Sequence, residues 1–555
     1  MPRNGACTLR IGEAVEWGEI VVDRRAFLKA SAASAGGALI LPTLGGCTNS
    51  APIYAAPGNG TPFTLGVLSG LHSPTEVVLW TRIEPALVPG IATLDWTISS
   101  SPAMSDVVAT GSVAVGPGAD HTAKVLVGGL EADRSYWYRF AAIGSGQPES
   151  PVGRARTLPP ESSDPTSLKL VYASCQNWQT GWYNAWSSIA TEDVDAVLWL
   201  GDYIYESGGF SLRDVRRDTV GSSSDLASYR AKYRLYRSDP ALQRAHSAHP
   251  FVPVWDDHEF RDNYSTRDMA LEPARTAAAY QAWFDYMPVW PIAGTRIHRN
   301  LRWGRLAEMF MLDTRQYRDP QAGAPRGPFV GAGGDIAEAA RPGRSILGAS
   351  QRRWLLDGLT GAQTDAVRWK LLGNQVMISP VRPFDLDTPE LRRLNSQITR
   401  HDGVYLNLDS WDSYFDERDH VLAHLADQRI SDVAFLTGDI HTFWQSTLRA
   451  DYDDDRSPLV ANEFVGGSIT SSGPNVLGAG PAAQIEQAVT GQWSPAFRYV
   501  DFRRNGYGMV ECTDATLTVS YRTTEVFFPG TPTATSTRFV VTSGTPTPTM
   551  QPINP

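Results

Sequence analysis

Leu198-Trp199-Leu200-Gly201-Asp202-Tyr203-Ile204-Tyr205-Glu206 is the stretch whose reading decides the fold. The run into it, Val194 to Leu200, is apolar apart from Asp195 and has the length and composition of a strand. A strand apolar along its length and polar at its tip predicts a sheet covered by helices. In such folds ligands sit at the carboxyl ends of the strands. Gly201 lets backbone approach a bound ion, and Asp202 offers carboxylate oxygens suited to bridging two cations. One Gly-Asp after a strand is ordinarily a capping aspartate, but here the pattern repeats. Leu168 to Ala173 runs into Ser174-Cys175-Gln176-Asn177, and Phe251 to Trp255 into Asp256-Asp257-His258-Glu259. Trp369 to Leu372 runs into Gly373-Asn374-Gln375, and Val433 to Leu436 into Thr437-Gly438-Asp439-Ile440-His441. Five tips thus offer thiol, carboxylate, phenol, imidazole and carboxamide groups, the donors of a site with both hard and borderline metals.

Working outward, 555 residues are enough for more than one domain with ample core. A formal charge of −10 supplies no basic platform for nucleic acid. Residues 1–47 have the form of an export signal. Asp23-Arg24-Arg25-Ala26-Phe27-Leu28-Lys29 is a twin-arginine signature ahead of a small-residue apolar run, Ala30 to Leu44. That run is too short for a membrane span. Leu44-Gly45-Gly46-Cys47 resembles a lipobox, which makes Cys47 a lipidated mature N-terminus and the membrane an anchor; ordinary cleavage nearby fits equally well. The expected partner is the twin-arginine export machinery, and the expected location is periplasmic, on the cell surface as a lipoprotein, or secreted. After the signal only Cys175 and Cys512 remain, which excludes a disulfide framework but leaves one bridge open. A strand-tip thiol at Cys175 and a core thiol at Cys512 are the competing roles.

Residues 48–61 are a Pro/Gly/Ala linker. Residues 62–158 alternate about seven short β-runs with turns, which predicts an immunoglobulin- or fibronectin-like β-sandwich. Leu130-Glu131-Ala132-Asp133-Arg134-Ser135-Tyr136 has the form of a tyrosine corner. From 159 to 544 strands alternate with helices, among them Glu272 to Met287 with Pro273 at its start and Ser350 to Leu359 with Ser350 as N-cap. The Thr/Pro tail, 545–555, is expected to be disordered.

Ser-Cys-Gln, Gly-Asp-x-x-Tyr-Glu, Trp-Asp-Asp-His-Glu, Leu-Gly-x-Gln and Gly-Asp-x-His, in that order, resemble the alkaline phosphatase D (PhoD-like) family of calcineurin-like metallophosphatases. Leu312 to Arg318, Leu408-Asp409-Ser410-Trp411-Asp412 and Asn505-Gly506-Tyr507-Gly508 resemble it too. The resemblance implies an α/β metallophosphatase sandwich, with helices flanking mixed sheets, behind the smaller sandwich domain. It implies a phosphate ester as substrate, Fe(3+) and Ca(2+) as cofactors, and a water nucleophile. By resemblance Asp202 bridges the metals, while Cys175, Tyr205 and His441 hold iron and Asp439 faces calcium. Asp257, Asn263 and Gln375 are further implied ligands, with Asp256 and Asn374 as weaker ones. His258 follows a ligand directly and is the candidate to protonate the leaving alkoxide. Arg315 is the preferred phosphate clamp, since a guanidinium fork suits oxyanions; Arg261 and Arg318 are expected in surface salt bridges. A phospholipase D-like phosphodiesterase is the alternative within the class. A non-catalytic surface lipoprotein with a ligand-binding sandwich is the alternative outside it.

Overall fold

Strands buried on both faces need two covering layers, and the chain builds its α/β part around this requirement. The computed structural model describes residues 61–142, 148–208, 214–323, 336–387, 389–395, 401–474, 478–493, 496–551 and 553. Arg24, Arg25 and Cys47 lie outside the described residues. Among the described residues no helix is long and apolar enough to cross a membrane.

Seven strands form the amino-terminal unit: β1 (Val67–Leu71), β2 (Val77–Arg82), β3 (Thr93–Ser99), β4 (Val107–Ala114), β5 (Thr122–Val127), β6 (Ser135–Ala142) and β7 (Gly153–Arg156). Alternate residues of β6, namely Tyr136, Tyr138, Phe140 and Ala142, are buried, as the period-two pattern requires. They meet Val67, Val77 and Leu79 from the opposing wing. The tyrosine corner is formed: Tyr136 Oη accepts from the Glu131 N–H at 2.9 Å and donates to its carbonyl at 3.3 Å.

The tips singled out in the sequence belong to β8 (Leu168–Ala173), β9 (Ala196–Trp199), β10 (Pro250–Pro253), β13 (Trp369–Asn374) and β16 (Val433–Thr437). β8, β9 and β10 are mutually parallel neighbours, and so are β13 and β16. They belong to different sheets. One has ten strands in the order β23-β22-β21-β20-β8-β9-β10-β1-β2-β5; the other has seven, β11-β12-β13-β16-β18-β17-β19. The remaining members are β11 (Arg299–Trp303), β12 (Ala307–Met311), β17 (Phe443–Arg449), β18 (Leu459–Gly466), β19 (Phe497–Asp501), β20 (Asn505–Cys512), β21 (Thr516–Thr524), β22 (Ala534–Thr542) and β23 (Thr549–Gln551). The short pair β14 (Phe384–Asp385) and β15 (Gly403–Val404) stands apart.

The two sheets pack face to face, with Leu198 and Leu200 in one apolar cluster with Leu371, Leu436 and Phe464. Helices 226–237, 240–248 and 273–286 cover the ten-stranded sheet through Tyr233, Leu242 and Trp283. Helices 348–364 and 415–427 cover the other through Leu355, Leu359, Val421 and Leu422.

Three expectations change, and one open alternative closes. The boundary at residue 158 does not divide the sheets, because β1 pairs in parallel with β10, Ser69 opposite Pro250. One wing of the sandwich therefore extends the sheet that carries the site. Thr549–Gln551 is a strand hydrogen-bonded to β22, because the edge of β22 was left with unpaired backbone. Ser350 lies inside its helix, which begins at Gly348; the Glu417 carboxylate receives the Ile346 and Leu347 N–H groups just ahead of it. No Cys175–Cys512 bridge exists. Cys512 pairs with Leu168 at the start of β8, whereas Cys175 lies beyond its end.

Candidate metal centre

Both sets of strand tips point to one end of the two-sheet sandwich, and the backbone there is held in an unusual conformation. Cys175, Asp202, Asp439 and His441 all take positive φ, between +58° and +66°. Such residues cost about 1–3 kcal/mol each and gather where function requires them. Gly201 has φ +106°, and a Cβ on it would lie 2.3 Å from that of Asp256. Only glycine lets the tips of β9 and β10 come this close. The buried Glu259 carboxylate fastens them, accepting N–H groups from Asp202 at 3.0 Å, Tyr203 at 2.6 Å and Asp256 at 2.9 Å.

Two donor sets share this end. In the first, one ligand atom each from Cys175, Asp202 and His441 lies within 4.8 Å of the others. Tyr205 Oη sits 3.0 Å from Asp202 Oδ2 and 3.2 Å from His441 Nε2. His441 Nδ1 meets the Ser472 carbonyl at 2.9 Å, so the proton belongs there and the Nε2 lone pair faces the cluster. Burial, then the Asp202 charge, pushes both the Cys175 thiol and the Tyr205 phenol well above their ordinary values. Burial and neighbouring Asp257 do the same to Asp202, and burial lowers His441 to about 4. A cluster of would-be anions that cannot ionise alone is what a cation reverses. Thiolate, phenolate, imidazole and carboxylate together fit a transition metal.

The second set is mostly carboxylate oxygens. Asp256, Asp257 and Asp439 form one close group, and Asp202, Asp257 and His258 another. Asp257 Oδ1 is buried without a hydrogen-bond partner, the nearest cation being Arg315 Nη2 at 3.7 Å. Carboxylates alone fit a hard cation such as calcium. The Asn263 N–H donates to Asp257 Oδ2 at 2.7 Å. Its side-chain nitrogen, turned toward the carboxylates, donates to Asp409 Oδ2 at 2.7 Å; turned the other way, the amide oxygen joins the donor set.

His258 is partly open to solvent, with 17% of its side chain exposed, as is Asp439. Its Nδ1 lies 2.7 Å from Glu206 Oε2. Burial disfavours its charge, but Asp257 and Glu206 outweigh that and push the imidazole well above its ordinary value. Nε2, 3.8 Å from Asp262 Oδ1, remains to donate.

Arg315 is not placed as a phosphate clamp. It is fully buried and directs its fork inward, with Nε and Nη2 to Asp256, Nη2 to Asp439 at 3.1 Å and Nη1 to Asp409 at 2.7 Å. It is the standing counter-charge of the oxygen cluster. Arg318 is equally buried and pairs with Asp409 at 2.8 Å, whereas Arg261 makes the expected half-exposed pairs with Glu272 and Asp268. Gln375 is not brought into a ligand position. Its amide donates to the Trp255 and Leu312 carbonyls at 3.0 and 2.7 Å, and its oxygen accepts from Thr314, which braces tips of both sheets. Asn374 is likewise occupied by the Val376 carbonyl and Thr437. Asp409 and Glu206 carried no assigned role in the sequence, although both stand inside quoted motifs.

Residues 170–521 match the model described as PhoD-like phosphatase, and residues 47–159 its N-terminal domain. The chain is 33% identical over 513 residues to alkaline phosphatase D of Bacillus subtilis (strain 168), covering 88% of this chain and 82% of that protein. It superposes on the solved structure of PhoD with a TM-score of 0.77 at 30% identity, covering 89% of this chain and 93% of that one. A purple acid phosphatase from yellow lupin (Lupinus luteus) seeds shares the fold at 10% identity, with a TM-score of 0.53 over 86% of this chain and 74% of its own. The chain belongs to the PhoD-like phosphatase family.

Proposed function

We propose that this phosphoric ester hydrolase works with Fe(3+) held by Cys175, Asp202, Tyr205 and His441, and Ca(2+) held by Asp202, Asp257, Asn263 and Asp439. The observation that carries the proposal is a chain of shared donors: the thiol-phenol-imidazole set shares Asp202 with Asp257 and His258, and Asp257 in turn belongs to the all-carboxylate group with Asp256 and Asp439. When bound, such cations supply Lewis acidity for transfer of a phosphoryl group to water. The chain's own residues do the rest. Asp202 and Asp257 hold the two halves in register, and Arg315 offsets the carboxylate charge from behind. His258, kept charged by Asp257 and Glu206, donates its Nε2 proton to the departing alkoxide. Glu206 fixes the ring by its bond to Nδ1. A sandwich serving only as a binding surface would not call for this buried donor set. The substrate is a phosphate monoester or diester. Arg24 and Arg25 direct export by the twin-arginine route, and Cys47, if lipidated, anchors the mature chain.

The test is elemental analysis of the purified holoprotein beside hydrolysis of a chromogenic monoester and the matching diester, repeated with Asp202→Asn. Iron and calcium in the wild type, and turnover lost in a folded variant, are expected. Near-wild-type turnover of Asp202→Asn at saturating calcium overturns the assignment.

A further inference from the structure

Asn505-Gly506-Tyr507-Gly508 and the segment from Ser468 to Ser471 have no part in the chemistry above, yet they meet behind the first donor set. Ser471 Oγ lies 2.5 Å from Tyr205 Oη and 2.9 Å from the Cys175 carbonyl oxygen. The Ser471 N–H donates to the same carbonyl at 3.2 Å. The carbonyl of the next residue, Ser472, receives His441 Nδ1. Two consecutive residues therefore touch three of the four donors.

This segment is itself pinned. Asn505 Nδ2 donates to the Ser471 carbonyl at 2.9 Å and to Ser468 Oγ at 2.8 Å. Ser468 Oγ donates to the Ser471 carbonyl at 2.8 Å, and the Gly506 N–H to the Ser468 carbonyl at 2.7 Å. Ser468, Ser471 and Asn505 are all buried. Gly506 has φ +152°, and a Cβ there would lie 1.9 Å from the Arg522 carbonyl oxygen, so the position needs glycine.

We infer that Ser471 is a positioning residue for the metal ligands, its hydroxyl donating to the Tyr205 oxygen, and that Asn505 holds it there. The inference rests on the reading that Tyr205 is a phenolate on iron(III). A hydroxyl has one hydrogen, and here two acceptors compete for it. The hydroxyl oxygen lies closer to Oη, at 2.5 Å, than to the Cys175 carbonyl, at 2.9 Å, which favours Oη as the acceptor; a bond to a charged acceptor there would be about twice as strong as a neutral one. That bond lowers the energy of the phenolate electrons, so moving one to the metal takes light of shorter wavelength. It also keeps the oxygen aimed, as outer-shell partners of metal ligands do.

The test compares purified wild type, Ser471→Ala, Ser471→Thr and Asn505→Ala by visible absorption, iron content and the rate of iron release to a chelator. Ser471→Ala is expected to keep its iron as purified and to shift the visible band to longer wavelength. It should lose iron faster by on the order of 10-fold. Ser471→Thr, which keeps the hydroxyl, should restore both, and Asn505→Ala should move both in the direction of Ser471→Ala. A coloured wild type with a Ser471→Ala band and release rate identical to it overturns the positioning role alone. A colourless, iron-free wild type overturns the iron reading as well. If Ser471→Ala does not fold, Asn505→Ala with a wild-type band and release rate overturns the proposal by itself.

Discussion

Replacing Arg315 by methionine separates two roles that a sequence cannot tell apart. Methionine keeps much of the buried volume and removes only the charge and its five N–H donors. The guanidinium meets Asp256, Asp409 and Asp439 directly and stands 3.7 Å from Asp257. Removing one partner of a buried ion pair costs about 3–5 kcal/mol, because the other charge stays behind unpaired. Domains are stable by only about 5–15 kcal/mol, so the metal-free variant should lose a large part of its stability. Calcium should recover some of the loss, since a ligand at 100 times its Kd stabilises by about 2.7 kcal/mol. The assay is urea unfolding of both proteins with and without calcium, beside KM and kcat. A clamp on substrate phosphate would give the reverse pattern, a raised KM at an unchanged unfolding midpoint. That result would refute the counter-charge reading.

Gly201→Ala should fold poorly or lose hydrolysis, because the added carbon would lie 2.3 Å from the Asp256 Cβ at a φ that alanine resists; wild-type kcat/KM would show that the two tips need not touch. Tyr205→Phe should remove or shift the visible band at unchanged iron content, whereas Tyr203→Phe should not, since Tyr203 Oη is turned to His246 at 3.3 Å. His249 is buried, gives one ring nitrogen to the Ile189 carbonyl at 2.8 Å and leaves Nδ1 without a partner. Burial, aided by Arg154, lowers it from 6.5 to about 4. The unfolded chain therefore binds more protons between pH 6.5 and 4, and stability should fall on acidification through that window, by about 3 kcal/mol at most. His249→Gln should flatten this slope in pH-dependent unfolding; an unchanged slope would place its origin elsewhere.

Much of the site was legible because its chemistry is local to strand ends. Apolar runs such as Ala196–Trp199 announce burial, and each polar tip follows its own strand in sequence. Facing relations were not legible. Arg315 belongs to a motif that suits a phosphate clamp, and only the fold shows its fork turned to Asp256 and Asp409. Gln375 looked like a ligand from its place after β13, yet its amide is needed by two carbonyls from distant strands. Ser350 has the residue type of a helix cap, and a carboxylate from Glu417 takes that task from across the chain. Glu206 and Asp409 were visible as residues but not as partners, since partnership with His258 or Arg315 is set by tertiary packing.

The pairing of Ser69 with Pro250 governs how the protein must be assembled. Contacts this far apart in sequence form slowly, because a long loop must close before they are rewarded. During synthesis the amino-terminal strands emerge first and wait, one wing open, until β10 arrives. Cutting the chain near residue 158 would therefore not release two finished modules. It would leave β10 as a bare edge beside the catalytic end, offering its backbone to any other unpaired strand.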